Sequence, residues 1–202
     1  YLESVLGNLS AGVLAFDASY ASVANNVITS DVGAFEQYFY QPNAGDVANV
    51  ISGNQFNAAQ LGYGTNERAA GASATALSGN THNITGPGGV GVQLYNIYKT
   101  GGISLANETI VGADVGVYAF VNGGSASITG GSIDGTDAPG SIGVHVTNYL
   151  TAFSYAATGN GDVTIDGVDI SDFGVGVHVE DDTLGAFTVH ATVTNDTDIT
   201  SS

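Results

Sequence analysis

Residues 103–119, ISLANETIVGADVGVYA, decide the fold because they contain both halves of a pattern that recurs along the chain. The first half is apolar-x-apolar-x-[Asn/Gly]-x-x-[Ile/Phe], here Ile103 to Ile110. The second half is apolar-Gly-apolar-x-apolar, here Val115 to Ala119. Apolar residues alternate with other residues in both halves, which is the period of a β-strand with one buried face. The stretch therefore predicts a run of short strands.

Copies of the two halves alternate along the chain in about seven units, each of roughly 21–33 residues. The Gly-bearing half recurs at 11–15, 32–35, 90–94, 142–146 and 175–179, and the Asn/Gly half at 21–28, 126–133 and 163–170, with partial copies near Ile51 and Ala191. Asn and Gly enter the left-handed backbone region most readily. One such residue between two short strands predicts a sharp corner, and the same corner in successive units predicts a coiled path of strands.

This order of strand, Asn/Gly corner, strand, loop and Gly-bearing strand resembles the right-handed parallel β-helix of the pectate-lyase-like superfamily, over most of residues 11–199. The resemblance implies an all-β solenoid of about seven coils, with two or three short parallel strands in each coil. We assign residues 11–202 to the parallel β-helix domain, and residues 1–10 to an N-terminal cap or to the continuation of a preceding coil. A β-sandwich is the alternative all-β fold, but it does not explain the recurring Asn/Gly position.

Composition limits the classes of function. The 202 residues include 2 Lys+Arg and 19 Asp+Glu, a net charge of −17, and no Cys. A basic nucleic-acid-binding face, a disulfide and a thiol nucleophile are therefore excluded, and no apolar run approaches the roughly 18–20 residues of a membrane span. The scarcity of cations also argues against the lyase chemistry that the resemblance would otherwise imply. We expect partners among other copies of the chain, further coils of the same polypeptide, or glycans.

The Gly-bearing strands are predicted to present one set of side chains outward. A column of glycines beside aromatic and imidazole rings would form a shallow trough, suited to a polysaccharide or to the backbone of another chain. The predicted ligand-binding face consists of Phe35, Gln93, Tyr95, Tyr118, Phe120, His145 and His178. The alternative is that glycine only relieves crowding and that a loop covers the rings. Residues 58–77 and 146–163 are predicted to be long connections.

His178, Glu180 and Asp181 form the candidate catalytic group, since paired carboxylates can act as acid and base in glycoside hydrolysis. A solvated acidic turn explains the same residues more simply. The aspartate signature of the polygalacturonases that share the resembling fold is absent. The sequence therefore favours a role without catalysis.

Four aspartates, Asp162, Asp166, Asp169 and Asp172, fall within one unit and are the candidate metal ligands. Carboxylate oxygens suit calcium, which is the one cofactor that the sequence suggests. Charge that merely solvates the surface is the alternative interpretation.

Four tripeptides match the N-glycosylation pattern, at Asn8, Asn83, Asn107 and Asn195.

The sequence begins at Tyr1, so we expect a processed product or a piece of a longer protein. Taken together, these features predict a structural or adhesive β-solenoid segment of an extracellular or cell-surface protein, such as a filament, surface-layer or adhesin unit. The alternative is a polysaccharide-binding or polysaccharide-degrading β-helix domain.

Overall fold

The structure is a computed structural model of the chain, and it describes residues 9–16, 21–38, 49–67, 75–97, 102–121, 123–148, 159–181, 187–195 and 198–200. These residues contain seventeen strands and no helix: β1 (Ala11–Phe16), β2 (Ser22–Ala24), β3 (Val27–Tyr38), β4 (Val50–Ser52), β5 (Gln55–Glu67), β6 (Ala76–Ser78), β7 (Thr81–Ile84), β8 (Val90–Ile97), β9 (Ile103–Ala113), β10 (Val115–Val121), β11 (Ser125–Gly135), β12 (Ile142–Thr147), β13 (Gly161–Asp166), β14 (Asp169–Ser171), β15 (Val175–Glu180), β16 (Val189–Thr194) and β17 (Asp198–Thr200). Within this described part, no helix is long and apolar enough to span a membrane.

The strands pair in parallel throughout and form three ladders of seven segments each. Ladder 1 joins β1, residues 32–38 of β3, residues 61–67 of β5, β8, β10, β12 and β15. Ladder 2 joins β2, β4, β6, residues 103–106 of β9, residues 126–129 of β11, β13 and β16. Ladder 3 joins residues 27–30 of β3, residues 55–58 of β5, β7, residues 108–111 of β9, residues 131–134 of β11, β14 and β17.

The chain visits ladders 1, 2 and 3 in that order seven times, and we call each visit a layer. This confirms the prediction of an all-β chain with parallel strands, and it is compatible with a β-helix. Long-range parallel pairing fixes every side chain in register with its equivalents one layer above and below.

The core consists of apolar columns that run across the layers. In ladder 3 the inward column is Ile28, Phe56, His82, Ile110, Ile133, Ile170 and Ile199. Ile110, Ile133 and Ile170 in the middle layers are buried, as the alternating pattern predicts. Ile28 is half-buried and Ile199 is exposed, because each lies in an end layer.

Every corner between ladder 2 and ladder 3 has a residue with positive φ at the Asn/Gly position. These residues are Asn25, Gly53, Gly79, Asn107, Gly130, Gly167 and Asn195, with φ between 49° and 62°. They occupy the Asn/Gly position of the repeat, so the prediction of left-handed corners is confirmed.

One predicted connection is wrong in part. Residues 58–77 are not all a loop, because β5 continues to Glu67 and pairs with β3 and β8. Tyr63 is buried in this strand, opposite Ala34 and Val92. The segment Leu61-Gly62-Tyr63-Gly64 is a copy of the Gly-bearing half that a second glycine disguises. Most of the other predicted connection, residues 149–158, lies outside the described residues, as do residues 1–8 of the predicted cap.

The glycine column of ladder 1 does not form an open trough. Gly116 is buried, and a Cβ there would lie 2.3 Å from Cγ2 of Ile133 and 2.4 Å from the backbone oxygen of Gly143. Gly91 and Gly143 are equally crowded by the isoleucine of their own layer and by the glycine oxygen of the next. The glycines therefore allow close approach of successive layers, which was the alternative interpretation.

We expect Gly116→Ala to destabilise the protein by about 1–3 kcal/mol, because the added methyl group overpacks a site bounded by backbone. Gly174→Ala is the matched control, since its Cβ would come no closer than 3.1 Å to any atom and its φ is unstrained. Urea unfolding followed by circular dichroism measures both free energies. Equal effects of the two substitutions would contradict this account of the glycine column.

Candidate functional site

Four rings stand in a column on the outer face of ladder 1, and we call Tyr95, Tyr118, His145 and His178 the ring column. The parallel register places Tyr118 beside His145, and His145 beside His178. Ring centroids are 5.6 Å apart for Tyr95 and Tyr118, 5.1 Å for Tyr118 and His145, and 4.9 Å for His145 and His178. Tyr118 meets His145 edge-on at 89°, whereas the two imidazoles stack at 16°. Much of the aromatic surface of these rings is therefore in contact with neighbouring rings.

Two residues of the predicted ligand-binding face are not exposed. Phe120 is 0% exposed, with its ring centroid 6.3 Å from that of Tyr95. Phe35 is 4% exposed and packs in a small cluster with Val32 and Leu61. A Cβ at Gly64, the neighbour of Phe35 in the register, would lie 2.8 Å from the Phe35 ring, so the glycine leaves room for that ring. The prediction that Phe35 and Phe120 face solvent is wrong.

The other predicted face residues keep some contact with solvent. Gln93, Tyr95, Tyr118 and His145 are half-buried, and His178 is exposed. Gln93 is next to Tyr118 in the register and lies on β8, the same strand as Tyr95. Whether this face binds a ligand stays a prediction.

The electrostatics of the ring column favour the neutral forms of His145 and Tyr118. Burial lowers the pKa of His145, and the neighbouring His178 lowers it further, although a contact of 3.3 Å between His145 Nε2 and Glu180 Oε2 acts in the opposite direction. Burial raises the pKa of the Tyr118 hydroxyl, with smaller contributions from Tyr95 and Glu180. The neutral forms of Tyr118 and His145 are therefore favoured, and the Glu180 carboxylate lies beside them.

The candidate catalytic residues lie at the end of this column. Glu180 contacts His145, and His178 stacks on the same imidazole. Asp181 is exposed and accepts a hydrogen bond from Nδ2 of the buried Asn148. The structure thus gathers His145, His178 and Glu180 at one place, where a carboxylate–imidazole pair can exchange a proton with solvent.

The four candidate metal ligands do not form one cluster. Asp166 accepts a hydrogen bond of 2.9 Å from Thr194 Oγ1, and Asp162 lies 3.5 Å from Nδ1 of His190. Asp169 is exposed on β14, and Asp172 lies near other carboxylates. In the part of the chain that the structure describes, no group of three or more His, Asp and Glu side chains is arranged to hold a metal ion. The geometry gives no support to the predicted calcium site.

The ionised form of Asp172 is destabilised by its surroundings. Its partial burial raises the pKa of its carboxyl group, and the charges of Asp137 and Asp134 raise it further. A carboxyl group whose pKa is higher in the folded state than in the unfolded state destabilises the fold once it ionises. The cost is present at neutral pH and is relieved as the pH falls through the raised pKa.

We expect Asp172→Asn to raise the melting temperature at pH 7 and low salt, by a few degrees at most. Asparagine removes the charge and accepts the positive φ of 58° at this corner. The gain should shrink as the pH falls through the raised pKa and the native carboxyl becomes protonated, and also in 1 M salt, which screens the repulsion. Asp169→Asn makes the same change in net charge and is the control. An equal gain from the control would show that only net charge matters.

A buried polar network, which the sequence pattern did not reveal, follows the corner between ladders 2 and 3. Asn26 donates to Oδ1 of Asn54, and Asn54 donates to Oδ1 of Asn80, both at 3.0 Å. The amide of Asn80 donates to Glu108 at 3.1 Å, and His82 Nε2 lies 2.8 Å from Glu108 Oε2. Glu108 and His82 are buried. We call these five residues the corner network.

A second buried carboxylate, Glu36, lies at an inward position of ladder 1. It accepts hydrogen bonds from Tyr63 Oη at 2.7 Å, Thr75 Oγ1 at 3.0 Å and Asn49 Nδ2 at 3.2 Å. These three neutral donors help to satisfy the buried carboxylate. Both carboxylates thus help to hold neighbouring layers together rather than facing solvent.

The predicted glycosylation positions lie in different environments. Asn83 is half-buried on β7, where its Nδ2 donates to Oδ1 of Asn57 at 2.8 Å. Asn107 and Asn195 are exposed corner residues, and Asn8 lies outside the described residues. Modification of these positions stays a prediction.

Comparison with protein-family models, curated protein sequences and solved structures finds no match for this chain.

Proposed function

We propose that this chain is a right-handed parallel β-helix of about seven coils, of the pectate-lyase-like type, and that it serves as a structural or adhesive segment of an extracellular or cell-surface protein. The observation that carries the proposal is the sevenfold return of the chain to the same three ladders. Layers at the usual spacing of about 4.8 Å would build a rod of roughly 30–35 Å.

The side-chain contacts support a structural role. The ring column stacks on itself, the glycines bring layers into close contact, and the corner network links four successive layers. Each of these features stabilises one layer against the next. Repetition of such contacts gives a stiff body, which suits a spacer, a filament or a surface layer.

Small-angle X-ray scattering of dilute protein tests the shape, and immunogold labelling of intact source cells tests the location. We expect an elongated particle and label on the outer surface of the cells. A spherical particle would contradict the β-helix, and label confined to the cell interior would contradict the surface role.

A polysaccharide-binding or polysaccharide-degrading domain is the second candidate, and the contact between His145 and Glu180 beside the exposed His178 favours it. A glycan array and a reducing-end assay test it directly. Turnover that Glu180→Gln or Asp181→Asn abolishes, and that Asp169→Asn leaves intact, would replace the structural proposal by an enzymatic one. Specific oligosaccharide affinity without turnover would support the binding alternative.

A further inference from the structure

Tyr95 on β8 and Tyr118 on β10 are neighbours on the outer face of ladder 1. Their ring centroids are 5.6 Å apart and their planes are tilted by 43°, which is an arrangement of aromatic rings in contact. Both side chains are half-buried, so each ring keeps some contact with solvent. The two strands lie in the middle of ladder 1, between β5 and β12. The pair therefore joins two successive layers that each have a neighbour on both sides.

An irregularity in the strand pairing accompanies this contact. Between Leu94 and Ile97 the register of β8 against β10 shifts, and β8 has one residue more than β10. An extra residue of this kind changes the direction in which a neighbouring side chain points. The ring of Tyr95 lies closer to that of Tyr118 than to that of Phe120, whose centroid is 6.3 Å away. The local backbone thus places one phenol beside another phenol.

Two adjacent phenols can form a covalent bond when they are oxidised. A one-electron oxidant removes one electron and the hydroxyl proton from each phenol, and the two radicals couple through ring carbons ortho to oxygen. The hydrogen on each coupled carbon then moves to the oxygen of its own ring. With hydrogen peroxide and a peroxidase as the oxidant, two tyrosines and one peroxide give one dityrosine and two waters. Burial lowers the pKa of His145, so its imidazole, which meets the Tyr118 ring edge-on, is available in the neutral form that accepts a proton.

We propose that Tyr95 and Tyr118 are a site of oxidative cross-linking, at which a peroxidase and hydrogen peroxide join β8 to β10 through dityrosine. The bond would tie two layers together covalently in a chain that has no Cys and therefore no disulfide. Closing the loop between the two tyrosines restricts the unfolded chain, so the cross-linked protein should melt roughly 5–10 °C higher. This inference goes beyond the structural role proposed above and does not depend on it.

Digestion with trypsin gives a direct test, because Arg68 and Lys99 are the only Lys and Arg residues of the chain. Trypsin divides the unfolded chain into residues 1–68, 69–99 and 100–202, with Tyr95 in the second fragment and Tyr118 in the third. The folded protein is treated with peroxidase and hydrogen peroxide, single chains are isolated under denaturing conditions, and these are digested. We expect fragments 69–99 and 100–202 to be joined, with a mass two hydrogens below their sum and with dityrosine fluorescence.

Tyr95→Phe and Tyr118→Phe should each abolish the joined fragments, whereas circular dichroism should show that both variants fold. Tyr98→Phe is the matched control, because it removes a phenol from the same tryptic fragment as Tyr95 and should leave the product in place. Joined fragments that persist in the Tyr95→Phe or Tyr118→Phe variant would overturn the proposal. A folded wild-type chain that gives no joined fragments would also overturn it, and would leave the proposed structural role standing.

Discussion

Replacing Ile133 by Asp is expected to destabilise the fold by more than about 4 kcal/mol, because it places an unpaired charge in an apolar column. Ile133 lies between Ile110 and Ile170 in that column and is buried. Both of its neighbours in the column are isoleucines, which cannot neutralise the new charge. Denaturation by urea, followed by circular dichroism, should show an unfolded variant or a large loss of cooperativity.

Val27→Asp is the matched control for this experiment. Val27 lies in the same ladder, but its side chain is 72% exposed. The change should alter the free energy of unfolding by no more than about 0.5 kcal/mol. A similar loss of stability in both variants would mean that the inward and outward positions of ladder 3 are assigned wrongly.

Glu108→Ala should cost about 3–5 kcal/mol, because it leaves buried donors without an acceptor. One oxygen of Glu108 accepts from the backbone N–H and the amide of Asn80, and the other contacts Nε2 of His82. All three side chains are buried, so water does not replace the lost bonds without opening the corner. The free energy of unfolding of the variant measures this cost.

A double variant distinguishes a buried-network effect from simple loss of packing. His82→Ile restores the residue type of its column, and Glu108→Asn continues the run of Asn26, Asn54 and Asn80. Replacing a buried polar pair as a unit is often neutral or stabilising, so we expect the double variant to recover more than half of the stability that Glu108→Ala loses. A double variant as unstable as Glu108→Ala would show that the carboxylate has a role that asparagine cannot fill.

Much of the fold was predictable because its signals are local. The left-handed corners need Asn or Gly, and Asn25, Gly53 and Asn107 stand at the expected positions. The inward columns follow from alternation, as at Val92 and Val144. By contrast, β5 beyond Ala58 is not predicted, because Tyr63 replaces the aliphatic residue of the other copies and Gly64 has no side chain. A sequence pattern defined by residue types does not find a strand in which a large side chain next to a glycine fills the core volume that medium-sized side chains fill in the other layers.

The candidate site was only partly predictable. The alternation of apolar and other residues along the strands predicted the ring column. It did not predict that the side chains of Phe35 and Phe120 are buried. The corner network was missed because an inward His82 and Glu108 look like interruptions of an apolar column. One signal was available: Asn26, Asn54, Asn80 and Glu108 follow each other at spacings of 28, 26 and 28 residues. Polar residues repeated at the layer spacing indicate hydrogen bonds between layers.

The restriction of contacts to adjacent layers has a consequence for the dynamics of the chain. Because the strand pairing of the described residues joins each layer to the layers next to it, local stability is approximately a sum of neighbour terms. Layers with two neighbours, such as the one containing Ile110, should protect their amide hydrogens from exchange for longest. Opening of one layer should disturb the layers beside it and leave more distant layers closed.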